Sequence, residues 1–142
     1  AREGARIREM LQTRCQALIE GVALVRARLP EISARIRAKV AERVAQLGTQ
    51  VDPERLEQEL VLLAYKMDVE EELDRLGSHV TETMRVLDST EAAGRRLDFL
   101  MQELNREANT LSSKSQDVET TRAAVDMKVL IEQMREQVQN VE

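Results

Sequence analysis

Apolar residues recur along the chain at steps of three and four, the period of an amphipathic helix. Ile7, Met10 or Leu11, Leu18, Val22, Val25 and Leu29 trace one stripe through residues 2–29. Pro30 interrupts it, since proline removes a backbone donor and disfavours helical geometry at Leu29. Either a new helix starts there or the first continues with a kink. Ile32, Ile36, Val40, Val44 and Leu47 then carry the stripe to Gly48, a candidate C-cap. Asp52-Pro53-Glu54 is a helix start, with Asp52 as cap and Pro53 where its missing N–H costs nothing. That helix is predicted to run over 53–87. Asp88 and Glu91 read as a capping box for a third helix over 91–111, burying Leu97, Leu100, Met101, Leu104, Ala108 and Leu111. Ser112–Ser115 is a polar break. The last helix is predicted over 117–140, with Val118, Val125, Val129 or Leu130, and Met134 or Val138 as its apolar stripe.

Two long helical segments, 2–48 and 53–87, and two shorter helices make one all-α domain over 1–142. Within 53–87, Leu56, Leu60, Leu63 and Met67, then Leu73, Leu76, Val80, Met84 and Leu87, form a coiled-coil-like seam. A helix of that length is roughly 50 Å long, whereas a compact globule of this size is roughly 37 Å across. The expected fold is therefore an elongated bundle of long helices. The short breaks make neighbours antiparallel.

Composition agrees. Tyr65 and Phe99 are the only aromatic residues, and five glycines and two prolines leave few turns. No apolar run reaches the roughly 20 residues of a membrane span. Cys15 is the only cysteine, which excludes an internal disulfide and suits a reducing compartment. Charge is uneven. Residues 1–48 hold ten basic against five acidic side chains, residues 51–88 four against eleven, and residues 89–142 seven against ten. The chain can therefore present a basic face and an acidic pocket separately.

Polar residues on two segments follow the same steps. Tyr65, Asp68, Glu72, Arg75, His79 and Glu82 form a line that a seam-facing partner would leave nearly opposite itself, with Glu71 beside it. Such a line is either a solvated face laced with ion pairs or a metal or catalytic strip. His79 is the only histidine, and Mn²⁺ accepts both carboxylate and imidazole. One helix offers two or three adjacent ligands, so a second element must close a site. The third helix offers another line: Arg95, Asp98, Gln102, Asn105 and Asn109. Arg95 and Arg96 stand near its N-terminus, where the helix dipole disfavours cations. An anionic partner or intersubunit ion pairs would each offset that cost. Gly-rich phosphate loops, Ser/His/Asp sets and His-x-x-x-His pairs do not occur. Cys15 reads as a small core residue.

The stretches at 55–64, 68–76, 94–99, 101–111 and 127–137 carry a family likeness. Asp68-Val69-Glu70-Glu71-Glu72-Leu73-Asp74-Arg75-Leu76, Gly94-Arg95-Arg96-Leu97-Asp98-Phe99 and Met101-Gln102-Glu103-Leu104-Asn105-Arg106-Glu107-Ala108-Asn109 are its most specific parts. The chain resembles the YicC/YloC family of bacterial proteins. The resemblance implies a metal-dependent endoribonuclease, Mn²⁺ preferred and Mg²⁺ the alternative, acting on RNA in the cytoplasm as a homo-oligomer, a hexamer. It also implies links to stress responses and small-RNA turnover, and the lack of a long apolar run leads one to expect no membrane partner. This chain would be the C-terminal helical half, without the family's N-terminal α/β half. The family motif matches on Asp68, Glu71, Glu72, Arg75 and His79, and together with the spacing of Glu82 this makes Asp68, Glu72, His79 and Glu82 the expected metal ligands. Glu72, His79, Glu103 and Glu107 would be catalytic, and Arg75, Arg95, Arg96, Asn105 and Arg106 would hold RNA. Two other readings compete: an oligomerisation and RNA-clamping domain with no catalytic site of its own, and an unrelated coiled-coil adaptor. The scarcity of aromatics argues against base stacking as the main grip on RNA.

Overall fold

The structure, a computed structural model, describes residues 2–47, 53–89, 94–115 and 117–140. Within these it leaves out the side chains of 2, 3, 44, 47, 53, 56, 60, 62–68 and 140. The described residues form four α-helices and no strand: α1 (Arg2–Leu47), α2 (Pro53–Asp88), α3 (Gly94–Lys114) and α4 (Val118–Asn140). The predicted caps Gly48, Asp52 and Glu91 lie outside the described residues.

α1 continues unbroken through Pro30. The proline ring leaves the Arg26 carbonyl without its helical donor, and Pro30 is exposed, where water can serve instead. α3 runs one turn past its predicted end, through Ser112 and Ser113. The Ser113 hydroxyl donates to the Thr110 carbonyl at 3.0 Å, so the polar run satisfies the helix instead of breaking it.

Each helix packs against two others: α1 on α2 and α4, and α3 on α2 and α4. Pairings fix the directions. Gln12 meets Asp88, Arg26 meets Asp74 and Arg43 meets Glu59, so α1 and α2 are antiparallel. Arg14 meets Gln133 and Arg28 meets Asp117, so α1 and α4 are antiparallel too. At 1.5 Å per residue α1 and α2 are about 69 and 54 Å long, against about 31 and 35 Å for α3 and α4. The far ends of α1 and α2, beyond Arg35 and before Val69, therefore leave the four-helix body as a two-helix arm, held at Arg43–Glu59, 2.6 Å apart.

The core is built from Leu11, Cys15, Leu18, Val22 and Val25 of α1 and Leu73, Leu76, Val80 and Leu87 of α2. The α3 positions expected to be buried are all buried. The stripe expected on α4 is only partly inward: its members Met134 and Val138 are buried and Leu130 packs against the core. Val118, Val125 and Val129 are exposed, and Ala124, Met127, Ile131, Met134 and Val138 face the core. Two faces of α4 have the right spacing. The inward one carries Met127 and Met134, whose flexible side chains fill irregular gaps in a helical core, together with Ile131, while Val118, Val125 and Val129 stand outside.

α4 starts on a charged lock. Asp117 accepts from the Thr120 backbone N–H at 3.1 Å, an N-cap bond, and from the Thr120 hydroxyl at 3.0 Å. Its carboxylate also takes Arg28 at 2.9 Å and Arg35 at 2.7 Å from α1. These donors hold the Asp117 carboxyl far below the usual carboxylate range, Arg28 contributing most.

Candidate metal and RNA site

α2 buries two adjacent faces, one on α1 and one on α3. The polar line of α2 therefore does not stand opposite the core. Glu72 and Thr83 are buried and His79 is partly buried at the junction with α3. The Thr83 hydroxyl donates to the His79 carbonyl at 2.7 Å, so this buried hydroxyl is satisfied within its own helix.

Opposite His79, α3 presents Glu103 and Glu107, four residues apart and so one turn apart on one face. One ligand atom each from His79, Glu103 and Glu107 lies within 4.8 Å of the other two. It is the one such cluster among the described residues. The Glu107 side chain is 1% exposed, between the core positions Leu104, Ala108 and Leu111. The Nδ1 of His79 lies 2.7 Å from its Oε1 and 2.9 Å from its Oε2. Only the Oε2 contact has hydrogen-bond geometry, so the buried Oε1 has no hydrogen-bond partner. Burial pushes the Glu107 carboxyl above the usual range, and His79 opposes that shift. A carboxylate in this position calls for a proton or a cation.

Arg106 closes the outer side. It bonds Glu103 at 2.5 Å, and its guanidinium is further held in the charged form by Glu107 and Glu72.

The other sequence candidates are placed as follows. Glu72 is seven residues from His79, about 10 Å along the axis, and bonds Arg75 at 3.4 Å; its carboxylate is not part of the cluster. Glu82 turns away to Arg85, at 2.6 Å, and to Arg96, at 3.5 Å. Arg85 foremost holds the Glu82 carboxyl down at about 2. The Asp68 side chain lies outside the described residues. Arg75 is paired with Glu71 and Glu72. Arg95 and Arg96 are exposed and Asn105 is partly exposed. On α3 the line through Asp98, Gln102 and Asn109 is not the one that meets α2. Gln102 and Asn109 are exposed, and Gln102 bonds Asp98 at 3.2 Å.

The cluster thus joins one ligand from α2 to two from α3, the second element that the sequence requires; the expected ligands Asp68, Glu72, His79 and Glu82 all stand on α2, while Glu103 and Glu107 are expected as catalytic. The signal that could have found it is Glu103-x-x-x-Glu107, the pair of carboxylates one turn apart on the neighbouring helix. Two carboxylates and an imidazole, with one buried oxygen unsatisfied, are a donor set that fits a Mn²⁺-type cation.

The comparisons with known proteins agree with one another. The family described as Endoribonuclease YicC-like, C-terminal, matches residues 25–142. A probable endoribonuclease YicC of Haemophilus influenzae is 48% identical over 141 residues, which are 99% of this chain and 49% of that protein. A probable endoribonuclease YicC of Clostridioides difficile is 34% identical over 143 residues, again 99% and 49%. The chain spans about half the length of the curated relatives it matches, and it belongs to the YicC-like family as that family's C-terminal, all-α part.

Proposed function

We propose that this chain is the helical half of a divalent-metal-dependent endoribonuclease that cuts RNA phosphodiester bonds, with His79, Glu103 and Glu107 holding the cation. The observation that carries this reading is Oε1 of Glu107, buried without a hydrogen bond, 2.7 Å from His79 Nδ1 and clustered with Glu103. The names of the relatives support the reaction class. The mixed carboxylate and imidazole set favours Mn²⁺ over Mg²⁺, which prefers oxygen ligands and keeps its waters.

When bound, such a cation lowers the pKa of a water and stabilises charge on a phosphate. The chain's own residues do the rest. Glu107 is fixed by core packing and by the His79 contact. Arg106 stands at the open side of the cluster, where its guanidinium can leave Glu103 for a phosphate oxygen and hold it by paired donors. Arg95, Arg96 and Arg75 extend that grip along the groove between α2 and α3, with Asn105 as a neutral donor. Hexameric assembly, a cytoplasmic setting and roles in stress responses and small-RNA turnover belong to the same proposal.

The test is cleavage of a labelled single-stranded RNA by the full-length protein with and without Mn²⁺. His79→Ala and Glu103→Gln are expected to abolish Mn²⁺-dependent cutting with helicity retained. Glu82→Gln, outside the cluster, is expected to cut at close to the wild-type rate. Wild-type rates in the first two variants would return the chain to an RNA clamp without a catalytic site.

A further inference from the structure

Phe99 is one of two aromatic residues in the chain, and its ring is not in the core. The inward positions of its helix are Leu97, Leu100, Met101 and Leu104, and Phe99 itself is 46% exposed. Leaving a large apolar ring half in water forgoes the burial that the rest of α3 achieves. The Arg96 guanidinium lies 5.4 Å from the ring centroid, a cation–π contact across one turn.

Position gives this pair a use. α2 and α3 run antiparallel: His79 meets Glu107, and one turn further along α2 Glu82 meets Arg96. Phe99 stands one turn before Glu103, about 6 Å along the axis. Phe99, Glu103 and Glu107 thus follow one another at steps of four along α3, with Arg96 one turn before the ring. Arg96 is also loosely held. Its contact with Glu82 is 3.5 Å and its side chain is 53% exposed. Glu82 is already satisfied by two bonds from Arg85, at 2.6 and 2.9 Å, so Arg96 can move without leaving a bare carboxylate.

We propose that Phe99 and Arg96 form a subsite for one nucleobase of single-stranded RNA, beside the His79–Glu103–Glu107 cluster; this rests on the ribonuclease reading above. The ring stacks on a base face, which every base offers, and the guanidinium stacks on the base or holds the adjoining phosphate. The subsite is therefore indifferent to sequence but demands an unpaired base. It sets which nucleotide is anchored relative to the cation, while the remaining arginines grip the backbone. Arginine and phenylalanine also serve protein interfaces, but continuity with the acidic cluster and the flanking Arg95 and Arg106 favour RNA.

The chain has no tryptophan, so Phe99→Trp places a single reporter at the subsite. The 142-residue chain is titrated, without divalent cations so that nothing is cut, with an oligoadenylate of about ten nucleotides and with an abasic ribose-phosphate oligomer of equal length. Indole fluorescence is expected to be quenched by the oligoadenylate and to stay nearly flat with the abasic strand. Phe99→Ala, at a half-exposed position, is expected to weaken oligoadenylate binding roughly five- to hundredfold and to leave abasic binding unchanged. Equal quenching by both strands, no binding of either, or wild-type affinity in Phe99→Ala would overturn the proposal. So would a change of oligomeric state in Phe99→Ala with base-dependent binding intact, which would make the ring a protein contact. Because no cation is present, base-dependent quenching in a protein whose full-length form shows no Mn²⁺-dependent cutting would end the nuclease reading and leave an RNA-binding subsite. Metal-dependent cutting without quenching would do the reverse.

Discussion

The imidazole of His79 on α2 faces both carboxylate oxygens of Glu107 on α3, with Nδ1 2.7 Å from Oε1 and 2.9 Å from Oε2. This contact ties two helices at a point where the core would otherwise hold only apolar groups. Glu107 is buried, and burial raises its pKa. A carboxyl whose folded pKa is raised is bound to more protons folded than unfolded. Its charge therefore works against the fold increasingly as pH rises above the unfolded value.

Glu107→Gln keeps the shape and an acceptor for His79 while removing the buried charge. At neutral pH its melting temperature is expected to stay within about 4 °C of wild type or to rise. The same substitution removes a ligand atom and is expected to weaken Mn²⁺ binding at least about a hundredfold, more than loss of an outer-shell partner does. Differential scanning fluorimetry reads both effects. Mn²⁺ at a hundred times the wild-type dissociation constant would stabilise the wild type by about 2.7 kcal/mol and a variant weakened a hundredfold by only about 0.4 kcal/mol. A variant that is strongly destabilised but still responds to Mn²⁺ as the wild type does would place the ion elsewhere.

The sequence shows α3 well and α4 poorly, and the contrast has a physical cause. On α3 the stripe of Leu97, Leu100, Leu104, Ala108 and Leu111 has no competing apolar face, because its other side is polar apart from Phe99. On α4 the inward face begins with Thr120 and Ala124, which are weakly apolar, while Val118 and Val125 stand outside. Hydrophobicity alone then favours the wrong face. The cluster was legible as residue types but not as a set. His79, Glu103 and Glu107 each stand out, yet which carboxylates meet the imidazole depends on the register of α2 against α3. Spacing within one helix does not encode that register. Glu82 illustrates the limit, being three residues from His79 and engaged by Arg85 and Arg96.

Asp117 should control acid stability. Its folded pKa is depressed, chiefly by Arg28, so its contribution is fully present above the unfolded value of 3.8 and is lost as pH falls below it. Asp117→Asn retains a cap acceptor but not the two ion pairs; Asp117→Ala loses both. Asp117→Ala is expected to cost about 2 kcal/mol at pH 7, from the cap and two solvent-screened pairs, and Asp117→Asn about half of that. The gap between Asp117→Asn and wild type should narrow progressively as pH falls below 3.8, whereas Asp117→Ala keeps the part of its deficit that comes from the lost cap. Urea titrations at pH 7, 4 and 2.5 test this, and a gap that stays constant with pH would show that the ion pairs contribute nothing.

Cys15 is fully buried, and burial pushes its thiol up to about 12. The thiolate is the reactive form, and none of it is accessible in the folded chain. Labelling by a disulfide reagent at pH 8 should therefore proceed at the rate of opening of the bundle and accelerate with urea in step with unfolding. Rapid labelling of the native chain would mean that α1 leaves the body locally, without global unfolding.

Two helical glycines should respond oppositely to alanine. At Gly77 an added methyl meets nothing nearer than the Arg26 guanidinium at 3.8 Å, an ordinary contact. Gly77→Ala should thus gain about 0.8 kcal/mol, the helix propensity difference, without strain. At Gly21 the same methyl would come within 3.0 Å of Cγ and Sδ of Met127, a side chain that is itself 1% exposed. Gly21 is what lets α1 approach α4 closely at this level, so the propensity gain is spent against a packed core. Overpacking of this kind costs about 1–3 kcal/mol, which leaves Gly21→Ala net destabilising. Met127→Ala should relieve the overlap. The double variant is then expected to be more stable than the two single changes added together, and thermal unfolding of all four chains measures that coupling. Strict additivity would mean that Met127 is free to swing aside, and that α1 and α4 are spaced by other residues.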